Sequence, residues 1–424
     1  MSGRRSTQPA GPAACVMGNT DLVRTLAPLG VPCVAVAAAG APVRYSRFTK
    51  AVVDWPSDGQ DPERFVERLV RFGERQPEPP VLFYETDEYL LFVSRYRERL
   101  GSAFRFVIDD AARVGDMVDK ARFHELAARL RLPVPATRVL SPSAGPAVPA
   151  TDLVFPLIVK PLTRGDGRWA EVERLGKVVR VDTPAQLRGM WPRLAAVGQD
   201  FLAQEVIPGP ETNVESYHVY VDDRGQVAGE FTGRKIRTRP VEYGHSTALT
   251  ITDTEDVATL GRSLVERLGL RGVAKLDFKR APDGRLRLLE VNPRFNIWHY
   301  PGALAGVNLP ALVWADLTGR PRPRVTQARA GVCWCHPWDV AAARDWGVPL
   351  RRWLPWALRC EAKSVFNWDD PMPLIRHSAW RIGQRVRPRT RPAPVGAVEH
   401  PTTFGADAGA MVPDRDADAE RQAR

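Results

Sequence analysis

The sequence predicts a chain of mixed class, an open α/β layer followed by α+β structure in two lobes, and three observations carry that prediction. Strand, turn and helix patterns alternate from Ala14 to Val107. A short apolar strand ending in a lysine, Phe155 to Pro161, then opens a glycine-containing loop. Two hairpin patterns follow, turning at Asp222 to Gly225 and at Ala281 to Gly284, where the residues have turn chemistry.

At 424 residues the chain is too long for one ordinary core, so several units are expected. The predicted division is a disordered N-terminus over 1–12, the α/β layer over 13–108, and a two-lobed unit over 109–325 with lobes of about 109–203 and 204–325. A C-terminal extension over 326–384 and a disordered tail over 385–424 complete it. The composition, 44% hydrophobic and 26% charged, is that of a soluble globular protein. A net charge of +11 favours anionic partners, among which nucleotide phosphates, nucleic acid and acidic lipid all qualify. With neither a signal-peptide pattern nor an apolar run of spanning length, a cytoplasmic location is expected. Five scattered cysteines fit a reducing compartment, and Cys333, Cys335 and His336 read as a buried strand, since no second ligand pair stands at a familiar spacing.

The first βαβ unit comprises Cys15 to Met17, the turn at Gly18 and Asn19, a helix from Asp21 to Leu29, and Val31 to Ala38. Further elements are a strand at Ala51 to Val53, a helix from Pro62 to Phe72, a strand at Val81 to Tyr84, and a helix from Glu88 to Leu100. This is Rossmann-like, but a single glycine in the first turn is not a dinucleotide fingerprint, so no cofactor of its own is expected there. Thr86 and Asp87 follow a strand, where open sheets place binding groups; a plain helix cap is the alternative.

A helix from Val118 to Leu130 carries Lys120, and Ser141 to Ala150 is loop. The strand ending at Lys160 and Pro161 leads into Thr163, Arg164, Gly165, Asp166 and Gly167, and a strand resumes over Lys177 to Val181. Strand, glycine-containing loop and strand can fold over phosphates through backbone N–H groups, although no Gly-Lys-Ser/Thr opens a helix here. After a helix near Pro184 to Ala195, Phe201 to Glu211 is a short strand running into Pro-Gly, a linker between lobes whose backbone is free to meet a base edge. Basic residues cluster at Arg234, Lys235, Arg237 and Arg239.

The second hairpin holds the chemistry. In Leu288 to Arg294, Glu290 and Asn292 share one face of a strand, and Asp277 lies on the partner strand. Register decides whether they meet: a four-residue loop brings Asp277, Glu290 and Asn292 to one surface, whereas a three-residue loop of Pro282, Asp283 and Gly284 undoes the convergence. Two carboxylates and an amide oxygen are hard ligands of the kind Mg²⁺ takes, with phosphates and waters completing the octahedron. A polar sheet face without an ion is the alternative.

The ordered set of motifs resembles the ATP-grasp superfamily of carboxylate ligases over roughly residues 16–319. The resemblance implies a pre-ATP-grasp Rossmann-like domain followed by a two-lobed ATP-grasp domain. It places Lys120 and Lys160 on the phosphates of ATP, Glu205, Ile207 and Glu211 at the adenine and ribose, and Asp277, Glu290 and Asn292 on Mg²⁺, for which Mn²⁺ can substitute. Arg294, in Glu-x-Asn-x-Arg, is implied to hold the acyl oxygens, and Lys235 or Arg237 to meet the γ-phosphate. Within the superfamily the likeness is to carboxylate–amine ligases that include D-aspartate ligase-like proteins, through Gly233-Arg234-Lys235 and Asn367-Trp368-Asp369-Asp370-Pro371. Two departures are a glycine loop short of glycines and the bulky run Phe295 to Tyr300 where small residues are expected. The expected activity is ATP-dependent activation of a small-molecule carboxylate as an acyl phosphate, attack by an amine, and release of ADP and phosphate.

The alternative function is a non-catalytic nucleotide-binding protein, or a basic protein acting on nucleic acid or another anion. Neither a base-stacking aromatic series nor a known reader motif favours nucleic acid. Leu350 to Cys360, with Arg351, Arg352, Trp353 and Trp356, is a basic amphipathic stretch that can make weak peripheral membrane contact; more often such a stretch packs on its own domain.

Overall fold

The computed structural model describes residues 11–56, 61–142, 148, 151–162 and 178–386. Strands β1 (Ala14–Met17), β2 (Cys33–Ala37), β3 (Thr49–Asp54) and β4 (Val81–Tyr84) form a parallel sheet in the order β3-β2-β1-β4. β1, β2 and β4 are near-continuous apolar runs and buried along their whole length, as strands covered on both faces must be. The chain reverses direction across the sheet between β1 and β4, so the loops after those two strands flank a crevice. Each loop is closed by a cap: Asn19 accepts from the Asp21 N–H, and Thr86 from the Tyr89 N–H.

The helix expected over Val118 to Leu130 occurs as Lys120–Arg129, and a further helix, Ala111–Val118, precedes it. Asp119 separates them: its backbone is extended and its carboxylate accepts from the Arg122 N–H, so it starts a new helix with Lys120 at the first position. The small lobe that follows is a sheet of β5 (Thr137–Leu140), β6 (Leu157–Pro161), β7 (Val179–Val181) and β8 (Phe201–Glu205), antiparallel in the order β5-β8-β6-β7. The helix Pro184–Val197 buries Leu187, Trp191 and Leu194 against it. The glycine-containing loop, Thr163 to Gly167, and most of Ser141 to Ala150 lie outside the described residues.

The large lobe is a seven-stranded sheet of β9 (Val214–Val221), β10 (Val227–Arg239), β11 (His245–Thr252), β12 (Gly272–Arg280), β13 (Leu286–Asn292), β14 (Cys333–Cys335) and β15 (Ala362–Lys363). Its order is β13-β12-β9-β10-β11-β14-β15. β9 is buried at every residue because both its faces are covered. Tyr217, Val219 and Val221 pack with Val257, Leu264 and Leu268 of the helix Glu255–Leu268. Ser216 and His218 point to the opposite face, where Phe231, Phe295 and Trp298 belong to a core shared with β1 and β2.

Residues after Arg320 complete this sheet: β14 pairs antiparallel with β11, and β15 parallel with β14. The Asn367 to Pro371 stretch ties that segment to the first domain. Asp370 is fully buried and accepts from Arg24 Nη2 at 3.1 Å, Ser46 Oγ at 2.7 Å and the Arg47 N–H at 2.9 Å. Three donors, one of them a guanidinium, compensate the desolvation of that carboxylate. Among the described residues no helix is long and apolar enough to cross a membrane.

Candidate active site

The site is built on the hairpin of β12 and β13, and its loop is the short one. Ala281 N–H donates to Arg285 O, Gly284 N–H to Ala281 O, and Gly284 takes φ +81°, so Pro282, Asp283 and Gly284 alone make the turn. Taken alone, that register would turn Glu290 and Asn292 toward the core. A β-bulge reverses the outcome: Phe278 pairs with Leu288 but Asp277 pairs with Glu290, leaving Leu289 as the extra residue. Leu288 and Val291 therefore both face the core, while Asp277, Glu290 and Asn292 share the other face. Convergence survives by a different route from the four-residue loop considered above.

Lys275 stands at the centre of this face. Its ammonium lies 2.5 Å from Asp277 Oδ2 and 3.9 Å from Glu290 Oε1. Ser216 Oγ donates to the other Asp277 oxygen, and Asn292 Nδ2 donates to Glu290 Oε1 at 3.0 Å. Burial alone would raise the Asp277 carboxyl, yet the charges of Lys275 and Lys235 and the hydrogen bonds from Lys275 and Ser216 hold it below the usual carboxylate range. Asp277 is thus an anion fixed in a desolvated position. Glu290 is the opposite, with 59% of its side chain exposed and free to swing.

Arg294 bridges the two domains. Its Nη2 donates to Asn292 Oδ1 at 3.1 Å, its Nη1 to Glu85 O at 2.9 Å, and its Nε to Asp87 Oδ1 at 2.5 Å. Thr86 is the helix cap, and Asp87 is the residue that reaches across. Glu85, at the end of β4, is buried; its Oε2 accepts from the Asn19 N–H at 2.6 Å, and its Oε1 has no partner among the described residues. Burial pushes its carboxyl up to about 7, with the Asn19 N–H and Arg294 pulling down and Asp21 pushing further up. Gly18 follows from the same contact, because a Cβ there would sit 2.5 Å from Glu85 Oε2. The crevice between β1 and β4 therefore opens directly onto Arg294 and the carboxylate cluster.

Behind Lys275 the wall is aromatic. His218 stacks on Phe231 at 4.5 Å and lies against Trp298 and His299. Burial holds both imidazoles low, His299 at about 3, and the cations Lys275 and Arg294 act in the same direction. The bulky run from Phe295 to Tyr300 thus fills a wall next to the cations.

The other expected residues fall on two elements. Glu211 lies 3.8 Å from Lys235 and 3.7 Å from Lys279, and the Lys235 charge also acts on Asp277, so these join the large-lobe face. Arg237 is turned away, in a buried pair with Asp339. On the small lobe, Lys120 Nζ donates to Pro161 O at 2.6 Å and Leu162 O at 3.1 Å, at the end of the strand that carries Lys160. Lys160 Nζ donates to Gln204 Oε1 at 3.1 Å. Glu205 accepts from the Val154 N–H at 2.8 Å, and Ile207 is buried. Sequence reasoning missed Lys275, Ser216 and Glu85. Lys275 alternates with Asp277 on one strand and was legible from that spacing; the other two need the fold.

A family model described as ATP-grasp in the biosynthetic pathway with Ter operon matches residues 198–335, which span β8 to β14 and hold the whole carboxylate cluster. A D-aspartate ligase from Enterococcus faecium is 24% identical over 339 residues, covering 77% of this chain and 78% of that protein. Together these matches support an ATP-grasp ligase. A D-alanine–D-alanine ligase from Stutzerimonas stutzeri is 28% identical to this ligase over 179 residues, covering 41% of this chain and 54% of that protein. Among solved structures, an N5-carboxyaminoimidazole ribonucleotide synthetase in complex with ADP superposes on the ligase with a TM-score of 0.56. It is 13% identical and covers 76% of this chain and 81% of its own, a likeness of fold.

Proposed function

We propose that this ligase transfers the γ-phosphoryl of ATP to the carboxylate of an amino acid and passes the acyl group to an amine. The observation that carries the reading is the meeting of Arg294 with both the carboxylate cluster and the buried Glu85. An amino acid bears one group for each: a carboxylate for the guanidinium fork, and an ammonium for the free oxygen of Glu85. The names of the D-aspartate and D-alanine relatives agree with substrates of that class.

Asp277, Glu290 and Asn292 fit a divalent cation: all offer oxygen, two carry charge, and a hard ion bound beside phosphates needs few protein ligands. As drawn, Asn292 turns its amide oxygen to Arg294 and its nitrogen to Glu290, so a half-turn of the amide presents the oxygen. A bound Mg²⁺ would neutralise charge building on the β- and γ-phosphates. Lys160 and Lys120, on the lobe that covers the nucleotide, add fixed positive charge, and Lys235 and Lys275 supply it from the large-lobe face. Glu205, Ile207 and Glu211 line the linker where the base and ribose lie.

The substrate carboxylate attacks the γ-phosphorus and the bond to the β-bridging oxygen breaks, leaving ADP. The amine nitrogen then attacks the acyl carbon, phosphate departs and the nitrogen gives up a proton. Arg294 and Lys275 face the oxygens that carry charge in both steps, and preorganised charge of this kind is worth about 3 kcal/mol per group. ADP release assayed with pairs drawn from an amino-acid panel tests the reading. Turnover that requires both an amino-acid carboxylate and an amine is expected; ADP release indifferent to every added pair would overturn it.

A further inference from the structure

We infer that the helix Leu350–Arg359 is a docking surface for anionic lipid headgroups. Its orientation is fixed by one side. Trp353 Nε1 donates to Asp339 Oδ2 at 2.8 Å, the ring of Trp356 lies 4.2 Å from the Arg237 guanidinium carbon, and Ala357 and Cys360 are buried. Those four residues occupy one sector of the helix.

The remaining circumference has two parts. Leu350, Leu354 and Leu358, spaced four apart, form a ridge that is 61%, 46% and 55% exposed. Arg351, Arg352 and Arg359 are also exposed and occupy the adjoining sector, further round from the inward residues. From Trp346 to Cys360 there is no acidic residue, on a chain of net charge +11. A soluble helix ordinarily turns its leucines inward and its charges outward. Here the inward sector is held by tryptophans in a buried polar network, so the leucine ridge is left outside and cannot rotate in.

An apolar ridge flanked by arginines matches an interfacial surface: the leucines enter the boundary between headgroups and acyl chains, and the guanidiniums stay among phosphates. Charge selects anionic lipid, since a protein partner for this face would have to carry its own ridge-sized apolar groove ringed by acids. The helix is about 15 Å long, enough for a reversible peripheral contact.

Co-sedimentation of the full chain with vesicles tests the assignment. Binding is expected to vesicles of equal parts phosphatidylglycerol and phosphatidylcholine, to fall with added salt, and to be absent with phosphatidylcholine alone. Leu354→Asp and the double change Arg351→Glu, Arg352→Glu should each weaken it by about tenfold or more, with the circular dichroism spectrum and thermal midpoint unchanged. Wild-type affinity for anionic vesicles in either folded variant would overturn the proposal. So would failure of the wild-type chain to bind them at low salt, or a concentration-dependent dimer that Leu354→Asp abolishes, which would assign the ridge to a second copy. Because the readout is sedimentation, these outcomes are separate from any failure of the ligase reading.

Discussion

Replacing Glu85 by Gln should make the protein more stable and less active, and the two effects should share one pH dependence. In the folded chain the Glu85 carboxyl ionises near 7, against about 4.5 for an ordinary glutamate, because burial penalises its charge. Between those values the folded state binds the proton more tightly than the unfolded state, so stability falls as pH rises from about 4.5 to 7 and is level beyond. A displacement of that size corresponds to roughly 3 kcal/mol lost above neutrality. A glutamine cannot ionise, and its amide oxygen can still accept from the Asn19 N–H, so the variant escapes the loss. Thermal melts across pH 4 to 9 should show matching midpoints at the acid end and a variant midpoint higher by about 5 °C at the alkaline end. Activity should run the other way. Wild-type kcat/KM rises with pH through about 7 as the carboxylate forms and meets a substrate ammonium; the variant loses that limb and is slower throughout. A difference in midpoint that stays constant across the range would refute the assigned ionisation. An unchanged pH–rate profile would remove Glu85 from substrate recognition.

Glu290→Gln keeps the side chain's volume at an exposed position while removing one of the charges gathered with Asp277, so ATP turnover should fall by about 10² or more with the thermal midpoint unmoved; full ATP-dependent activity would refute the ligand role. Asp339→Asn leaves the Arg237 guanidinium buried without its counter-ion, and since Thr247 and Trp353 donate to different oxygens of Asp339, only one of them keeps an acceptor; the expected cost is about 3–5 kcal/mol. Chemical denaturation followed by tryptophan fluorescence measures it, and a variant as stable as the parent would show that the pair carries no net weight.

The first domain was legible because its parallel strands are short apolar runs separated by helix caps, and periodicity and caps are local properties. Just beyond that domain the reading missed the helix Ala111–Val118, which ends where Asp119 caps the expected helix Lys120–Arg129. The hairpin shows a subtler limit. The residue types at Asp277, Glu290 and Asn292 named the chemistry, but whether they face one another depends on a loop of three residues and a compensating bulge at Leu289. Turn composition alone does not encode the bulge; the burial of Leu288 and Val291 on one face requires it. Glu85 was invisible for a different reason. A glutamate after a strand is unremarkable until β1 places the Asn19 N–H against it and Arg294 arrives from a strand more than two hundred residues away in sequence. The terminal segment repeats that lesson, since nothing in Cys333 to Cys335 says which strand they will join, and only pairing with β11 makes them part of the sheet that carries the site. What a short stretch can specify is which groups are available; which of them share a desolvated surface is decided by long-range pairing, and it is the sharing that shifts Asp277 down and Glu85 up.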